Sequence, residues 1–231
     1  MKKRQLNTPF FVMNPKSYLY GDELIKLAKS CDSLSEKYGI DFLFTAQHAD
    51  LYRLRNETKN LIVTAQHMDG HMAGAGMGKI LPESIKTAGA EATFLNHAEH
   101  PMTTGELTKA INRADELGIL TIVCANSVKE AEMIAALEPD VVVCEPTELI
   151  GTGKSSDVSY MKATNSAIRR KNPNIFILQA AGISSAADIQ KALESGADAS
   201  GGTSGIVAAD DPVCVVDEML QVMYQWKASN K

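Results

Sequence analysis

The chain has 231 residues, 45% of them hydrophobic and 22% charged, enough apolar material for a substantial core. Its formal net charge of -5 argues against nucleic acid as the main partner, though a local basic pocket for a small anion is still allowed. The four cysteines, Cys31, Cys124, Cys144 and Cys214, lie far apart with no CxxC spacing, which speaks against a disulfide framework or a zinc site and for a reducing cytoplasm. Lys2, Lys3 and Arg4 resemble the start of a leader. The apolar stretch after them, Phe10–Met13, is too short for a leader core or a membrane span, so a soluble cytoplasmic protein is expected.

Pro9–Asn14 reads as a first strand and Asp22–Tyr38 as a helix stopped by Gly39. Asp41–Ala46 is a second strand, followed by a short helical piece near Ala49–Arg55, and Leu61–Ala65 is a third. TAQH occurs at Thr45–His48 and again at Thr64–His67, a hint of repeated strand-then-loop units. A glycine-rich segment, Gly70–Gly78, leads to a helix near Pro82–Ala88 closed by Gly89, then to a fourth strand, Ala92–Leu95. Leu107, Ala110, Ile111, Ala114 and Leu117 form one helical stripe, closed by Gly118, before the fifth strand, Leu120–Cys124.

The next helix opens on Ser127-Val-Lys-Glu130, the pattern of a capping box, and runs to Leu137. Val141–Cys144 is the sixth strand, with a helix near Asp157–Arg170. Ile175–Gln179 is the seventh, with a helix near Ala186–Ser195. Ala197–Gly202, small and polar, is the eighth, and a final helix lies near Pro212–Trp226. Strict alternation of strand and helix implies right-handed crossovers and a parallel sheet. Eight units in this length fit a closed (β/α)8 barrel, one domain over residues 1–231, better than an open sheet.

In such barrels chemistry sits at the carboxyl ends of the strands. The sixth strand delivers Glu145, and Pro146 holds it extended before the glycine-bearing loop that runs to Lys154. A carboxylate so placed suits a general base under a movable lid, although it would equally cap the following helix. The first strand ends in Asn14-Pro15-Lys16, which puts a cation at the barrel mouth; an ordinary solvated lysine is the plainer reading. The fourth strand ends in Asn96-His97-Ala98-Glu99. A helical turn starting there would disfavour a protonated His97 and leave a neutral hydrogen-bond donor.

Two small-residue turns follow the last strands, Ala181-Gly182-Ile183-Ser184 and Gly201-Gly202-Thr203-Ser204-Gly205. Such turns let backbone N–H groups approach a phosphate. Two other motifs fail on inspection. Gly151–Ser156 lacks the leading glycine of a P-loop, because position 148 is Glu148, and Gly74–Gly78 fits no nucleotide fingerprint. His67 and His71 are four apart, but Gly70 between the flanking residues disfavours the helix an HxxxH metal pair requires. A base, a neutral electrophile and a cation at one rim, with no metal ligand set, suit proton abstraction next to a carbonyl.

NxK at Asn14–Lys16, NHxE at Asn96–Glu99 and EPxxxIGTG from Glu145 to Gly153 occur in this order. Together they resemble the triosephosphate isomerase family in its compact archaeal form, along essentially the whole chain. The resemblance implies a TIM barrel that interconverts dihydroxyacetone phosphate and glyceraldehyde 3-phosphate without a cofactor, in glycolysis and gluconeogenesis. It implies that Glu145 is the base, His97 the neutral electrophile and Lys16, placed by Asn14, the balancing cation, with Glu99 orienting Lys16. It further implies that backbone amides at Ile150, Gly151, Gly182, Thr203 and Ser204 hold the phosphate under a closing lid.

The loop Gly70–Gly78, carrying Met72 and Met77, stands where the family projects a loop into a neighbouring subunit, so a homo-oligomer, dimer or tetramer, is expected. Four positions depart from the family's pattern. Ala98 replaces the usual serine, His100-Pro101 stands where an arginine is usual, Pro15 splits Asn14 from Lys16, and Ala180 replaces a common glycine. These bear on pocket size and lid equilibrium, so the alternatives are the same chemistry on a larger phosphoketose, such as a tetrulose phosphate, and a non-catalytic phosphosugar-binding barrel.

Overall fold

The computed structural model describes residues 2–146 and 157–230. Eight strands form a closed barrel in chain order: β1 (Phe10–Met13), β2 (Phe42–Ala46), β3 (Ile62–Ala65), β4 (Ala92–Leu95), β5 (Leu120–Ala125), β6 (Val141–Cys144), β7 (Phe176–Gln179) and β8 (Ala199–Gly202). Every neighbouring pair is parallel, and β8 closes on β1 with Phe10 opposite Ala199 and Met13 opposite Gly202. Around it lie α1 (Gly21–Tyr38), α2 (Leu51–Glu57), α3 (Pro82–Thr87), α4 (Thr104–Leu117), α5 (Val128–Ala135), α6 (Val158–Lys171), α7 (Ala186–Glu194), α8 (Ser204–Val207) and α9 (Pro212–Ser229).

Apart from β8, the strands are mainly apolar because both of their faces are covered. Their period of two divides the core into two shells. Phe10, Val12, Leu43, Ile62, Ile122, Val143 and Leu178 fill the barrel interior. Their neighbours Phe11, Met13, Phe42, Phe44 and Val142 pack outward against the helices, with Leu24, Ile111, Leu220 and Met223 among their partners. The two TAQH repeats lie side by side: Thr45 is paired with Thr64 and Ala46 with Ala65, and His48 Nε2 meets the His67 carbonyl at 2.7 Å.

β8 is the strand that sequence pattern defines least, and its closure on β1 explains why. A side chain at Gly201 would put a Cβ 1.8 Å from the Val12 carbonyl oxygen, so this strand carries almost no apolar bulk. It starts at Ala199 rather than Ala197, because the Asp198 carboxylate turns back to accept the Ile177 N–H at 2.7 Å.

Other boundaries shift for equally local reasons. α5 stops at Ala135, short of Leu137, and the chain turns out through Glu138 at φ 55° into Pro139. A 3-10 turn, His48–Asp50, precedes α2. α8, four residues long, is too brief to leave a periodic signal. Among the described residues, no helix is long and apolar enough to cross a membrane.

Candidate active site

The carboxyl ends of β1, β4, β6, β7 and β8 enclose a cavity of about 700 Å³, counted to its open mouth. Asn14, Lys16, His97, Glu145, Gly182, Thr203 and Ser204 all line it. Its floor is apolar, made by Val12, Phe94, Val143 and Leu178 at the top of the barrel core. Ile150 and Gly151, with the segment between Pro146 and Asp157, lie outside the described residues.

Glu145 continues the sheet one residue beyond β6, its N–H donating to the Ala125 carbonyl at 2.9 Å. That bond fixes the backbone while the side chain enters the cavity. Burial over the apolar floor pushes its carboxyl up to about 6; the Lys16 cation opposes the shift and the Glu99 charge adds to it.

Lys16 sits at φ 48°, an uncommon conformation for a side-chain-bearing residue. Three contacts hold it there. Its N–H donates to Asn14 Oδ1 at 2.9 Å, its carbonyl accepts from Gln66 Nε2 at 2.8 Å, and its Nζ donates to Glu99 Oε1 at 2.9 Å. Pro15, which departs from the family's pattern, is buried and its carbonyl accepts the Tyr18 N–H at 3.0 Å, closing the turn that presents the lysine.

His97 is not at a helix N-terminus, contrary to the sequence expectation. Residues 98–100 make a single turn, with the His100 N–H on the His97 carbonyl at 2.7 Å, and α4 begins only at Thr104. The ring is nonetheless held neutral by a different route. Burial and the nearby Lys16 charge push its pKa down, with Glu99 opposing. The Glu99 N–H donates to Nδ1 at 3.1 Å, so Nδ1 is an acceptor and the neutral ring carries its proton on Nε2.

The turns after β7 and β8 are packed backbone to backbone. A Cβ on Gly202 would lie 2.8 Å from the Ile183 carbonyl oxygen, and one on Gly205 would lie 2.6 Å from Ser184 Cα. Gly182 takes a left-handed φ of 65°. Thr203 precedes α8 without a side-chain capping bond, and the first-turn N–H groups at Ser204 and Gly205 have no acceptor within the helix. Gly182, Gly202, Thr203 and Ser204 of these two turns line the same cavity as His97.

The supporting roles of two further residues, Asn96 and Glu130, are not legible from the sequence pattern. Asn96, at φ 57°, donates from Nδ2 to the Cys124 carbonyl at 3.0 Å and accepts the Met102 N–H at 3.0 Å. Glu130 accepts from Asn96 Nδ2 at 3.2 Å. Only the conformation of the first has a legible signal, since asparagine tolerates the left-handed region better than most residues. The capping box expected at Ser127 is only half formed: Ser127 Oγ accepts the Glu130 N–H, but the Glu130 carboxylate goes elsewhere. The complete boxes are at Thr103/Glu106 and Ser185/Asp188.

His67 packs on His100, ring centroids 4.2 Å apart. Among the described residues, no cluster of three or more His, Cys, Asp or Glu side chains is placed to hold a metal ion.

An amine, an imidazole with its proton on Nε2 and a desolvated carboxylate around one cavity mark a (β/α)8-barrel enzyme equipped for proton transfer beside a carbonyl. The sequence model described as triosephosphate isomerase matches residues 9–205. A triosephosphate isomerase of Methanobacterium bryantii is 39% identical over 210 residues, covering 89% of this chain and 92% of its own. One of Methanothermus fervidus is 36% identical over 94% of this chain and its full length, and one of Sulfurisphaera tokodaii is 31% identical over 93% and 95%. The chain belongs to the triosephosphate isomerase family, whose substrates are small and phosphorylated.

Proposed function

We propose that this chain, as one barrel domain over residues 1–231, interconverts dihydroxyacetone phosphate and glyceraldehyde 3-phosphate through an enediolate. The observation that carries the reading is the shared cavity of Glu145, His97 and Lys16, flanked by the two glycine turns. Glu145 removes the proton from the carbon beside the carbonyl, and a carboxyl lifted to about 6 is well matched to that work near neutral pH. His97 Nε2–H donates to the carbonyl oxygen and then moves a proton between the two enediol oxygens. Lys16 balances phosphate and enediolate charge, oriented by Asn14 and Glu99. Backbone N–H groups at Gly182, Thr203 and Ser204, with Ile150 and Gly151, hold the phosphate. Closure of the segment after Pro146 excludes water, so the intermediate is reprotonated before phosphate is lost.

The enzyme works in the cytoplasm without a cofactor and assembles as a homo-oligomer, dimer or tetramer. The loop 70–78 supports the assembly, since Met72 and Met77 are among the most exposed apolar side chains described. Sedimentation showing only monomer at micromolar concentration would remove this part of the proposal.

Turnover of the two triose phosphates by purified protein in buffer with a chelator tests the activity. A panel of three- to five-carbon phosphoketoses separates it from the same chemistry on a larger substrate. Binding of all of them with turnover of none would leave the non-catalytic phosphosugar barrel.

A further inference from the structure

Glu130 has the sequence position of a capping-box glutamate but not its geometry. At N3 of α5 such a carboxylate normally returns to the N–H of its own N-cap residue, here Ser127. Instead Oε2 accepts the Asn126 N–H at 2.7 Å, and Oε1 accepts Asn96 Nδ2 at 3.2 Å, tying the α5 entrance to the end of β4. Asn96 is the residue directly before His97 and is held at φ 57°. Both ends of its amide are engaged: Nδ2 serves the Cys124 carbonyl and Glu130, while Oδ1 takes the Met102 N–H. The chain therefore enters and leaves the His97 turn through bonds made by one side chain, and Glu130 fixes which way that side chain faces.

Glu130 also lines a second cavity behind His97, with Cys124, Asn126 and Glu145 on its other walls. From there its carboxylate bonds to Asn126 and Asn96 rather than to either reacting group. Its route to the imidazole therefore runs through Asn96.

Resting on the isomerase reading above, we infer that Glu130 is a positioning residue: through Asn96 it sets the turn that aims His97 Nε2–H at the substrate carbonyl. The orientation of a hydrogen-bond donor matters most in the transition state, so its loss shows in turnover more than in substrate affinity.

The test compares four proteins: wild type, Glu130→Ala, Glu130→Gln and Ser127→Ala. Glu130→Ala lowers kcat roughly 10- to 100-fold while KM stays within about twofold. Glu130→Gln recovers most of the loss, because its amide oxygen still accepts from Asn96. Ser127→Ala loses the helix cap and melts earlier, yet keeps wild-type kcat, which separates positioning from stability. If Glu130→Ala does not fold, Glu130→Asp serves, since it keeps the charge while its shorter arm falls away from Asn96; it shows the same kcat loss.

In parallel, nitrogen-15 spectra of the histidines read the His97 tautomer without substrate. The single form with the proton on Nε2 gives way to a mixture in Glu130→Ala and persists in Ser127→Ala. A kcat within twofold of wild type in Glu130→Ala, or an equal kcat loss in Ser127→Ala, overturns the inference. If wild type fails to turn over triose phosphates, the functional reading falls, and the spectra decide this inference alone: an unchanged His97 signal in Glu130→Ala refutes it.

Discussion

Lys16 Nζ donates to Glu99 Oε1 at 2.9 Å, joining the end of β1 to the turn after β4 across the mouth of the barrel. The same Glu99 donates its backbone N–H to His97 Nδ1. One residue thus holds the cation by its side chain and the imidazole by its main chain, and the two groups are registered to each other before a substrate arrives.

This pairing predicts unequal effects at its two ends. Lys16→Met removes the only cation of the proposed set and should cost roughly 10²–10³-fold or more in kcat/KM, the scale for losing an oriented electrostatic group. Glu99→Gln keeps a hydrogen-bond acceptor but not the charge, and should cost roughly 10–100-fold, as for a weakened charge-assisted bond. Steady-state kinetics of the two variants checks the order; a larger loss in Glu99→Gln would reverse the assignment.

Glu145 links activity to stability in opposite senses. A carboxyl raised from 4.5 to about 6 by the fold binds more protons in the native than in the unfolded state between those values. The fold therefore loses stability through this group as pH rises from 4.5 to 6, and the whole penalty is present above 6. Glu145→Gln should lose roughly 10²–10⁴-fold in turnover. It should also gain about 2 kcal/mol of stability at pH 8, and little below pH 4.5. Denaturant unfolding at the two pH values measures the difference.

The pH–rate profile follows from the same groups. kcat/KM should rise with pH and level off above about 6 as Glu145 ionises. Burial and the Lys16 charge push the His97 pKa down from the usual 6.5, so the ring adds no inflection at that value. An inflection at 6.5 that disappears in His97→Gln would contradict the neutral ring.

Barrel closure gives a prediction independent of function. Gly201→Ala places a methyl 1.8 Å from the Val12 carbonyl, and neither backbone can yield without opening the β1–β8 seam. A loss of about 3 kcal/mol or more is expected, beyond ordinary overpacking because the clash is with main chain. Thermal unfolding of the variant checks it; wild-type stability would mean that the seam opens more easily than its geometry implies.

The barrel was legible because its strands are short apolar runs between glycine-stopped helices, and β4, β6 and the end of α1 at Tyr38 fall where the pattern puts them. Where pattern failed, a backbone contact had replaced side-chain chemistry, as at β8, or the element was shorter than its own period, as at α8. The placement of Lys16, His97 and Glu145 at one rim followed from strand ends alone. The cause of the neutral His97 did not, because it depends on a bond from Glu99 two residues on and on the Lys16 charge, neither of which a strand-and-helix reading contains. Glu130 was visible only as a helix cap, since its reach to Asn96 spans 34 residues.

The most direct test of the central claim is hydrogen exchange from solvent. Dihydroxyacetone phosphate is incubated with the protein in deuterium oxide and followed by proton NMR at the carbon beside the carbonyl. The wild type should exchange that hydrogen as it forms glyceraldehyde 3-phosphate, and Glu145→Gln should leave it essentially unlabelled. Equal labelling by both proteins, or none by the wild type, would contradict the account.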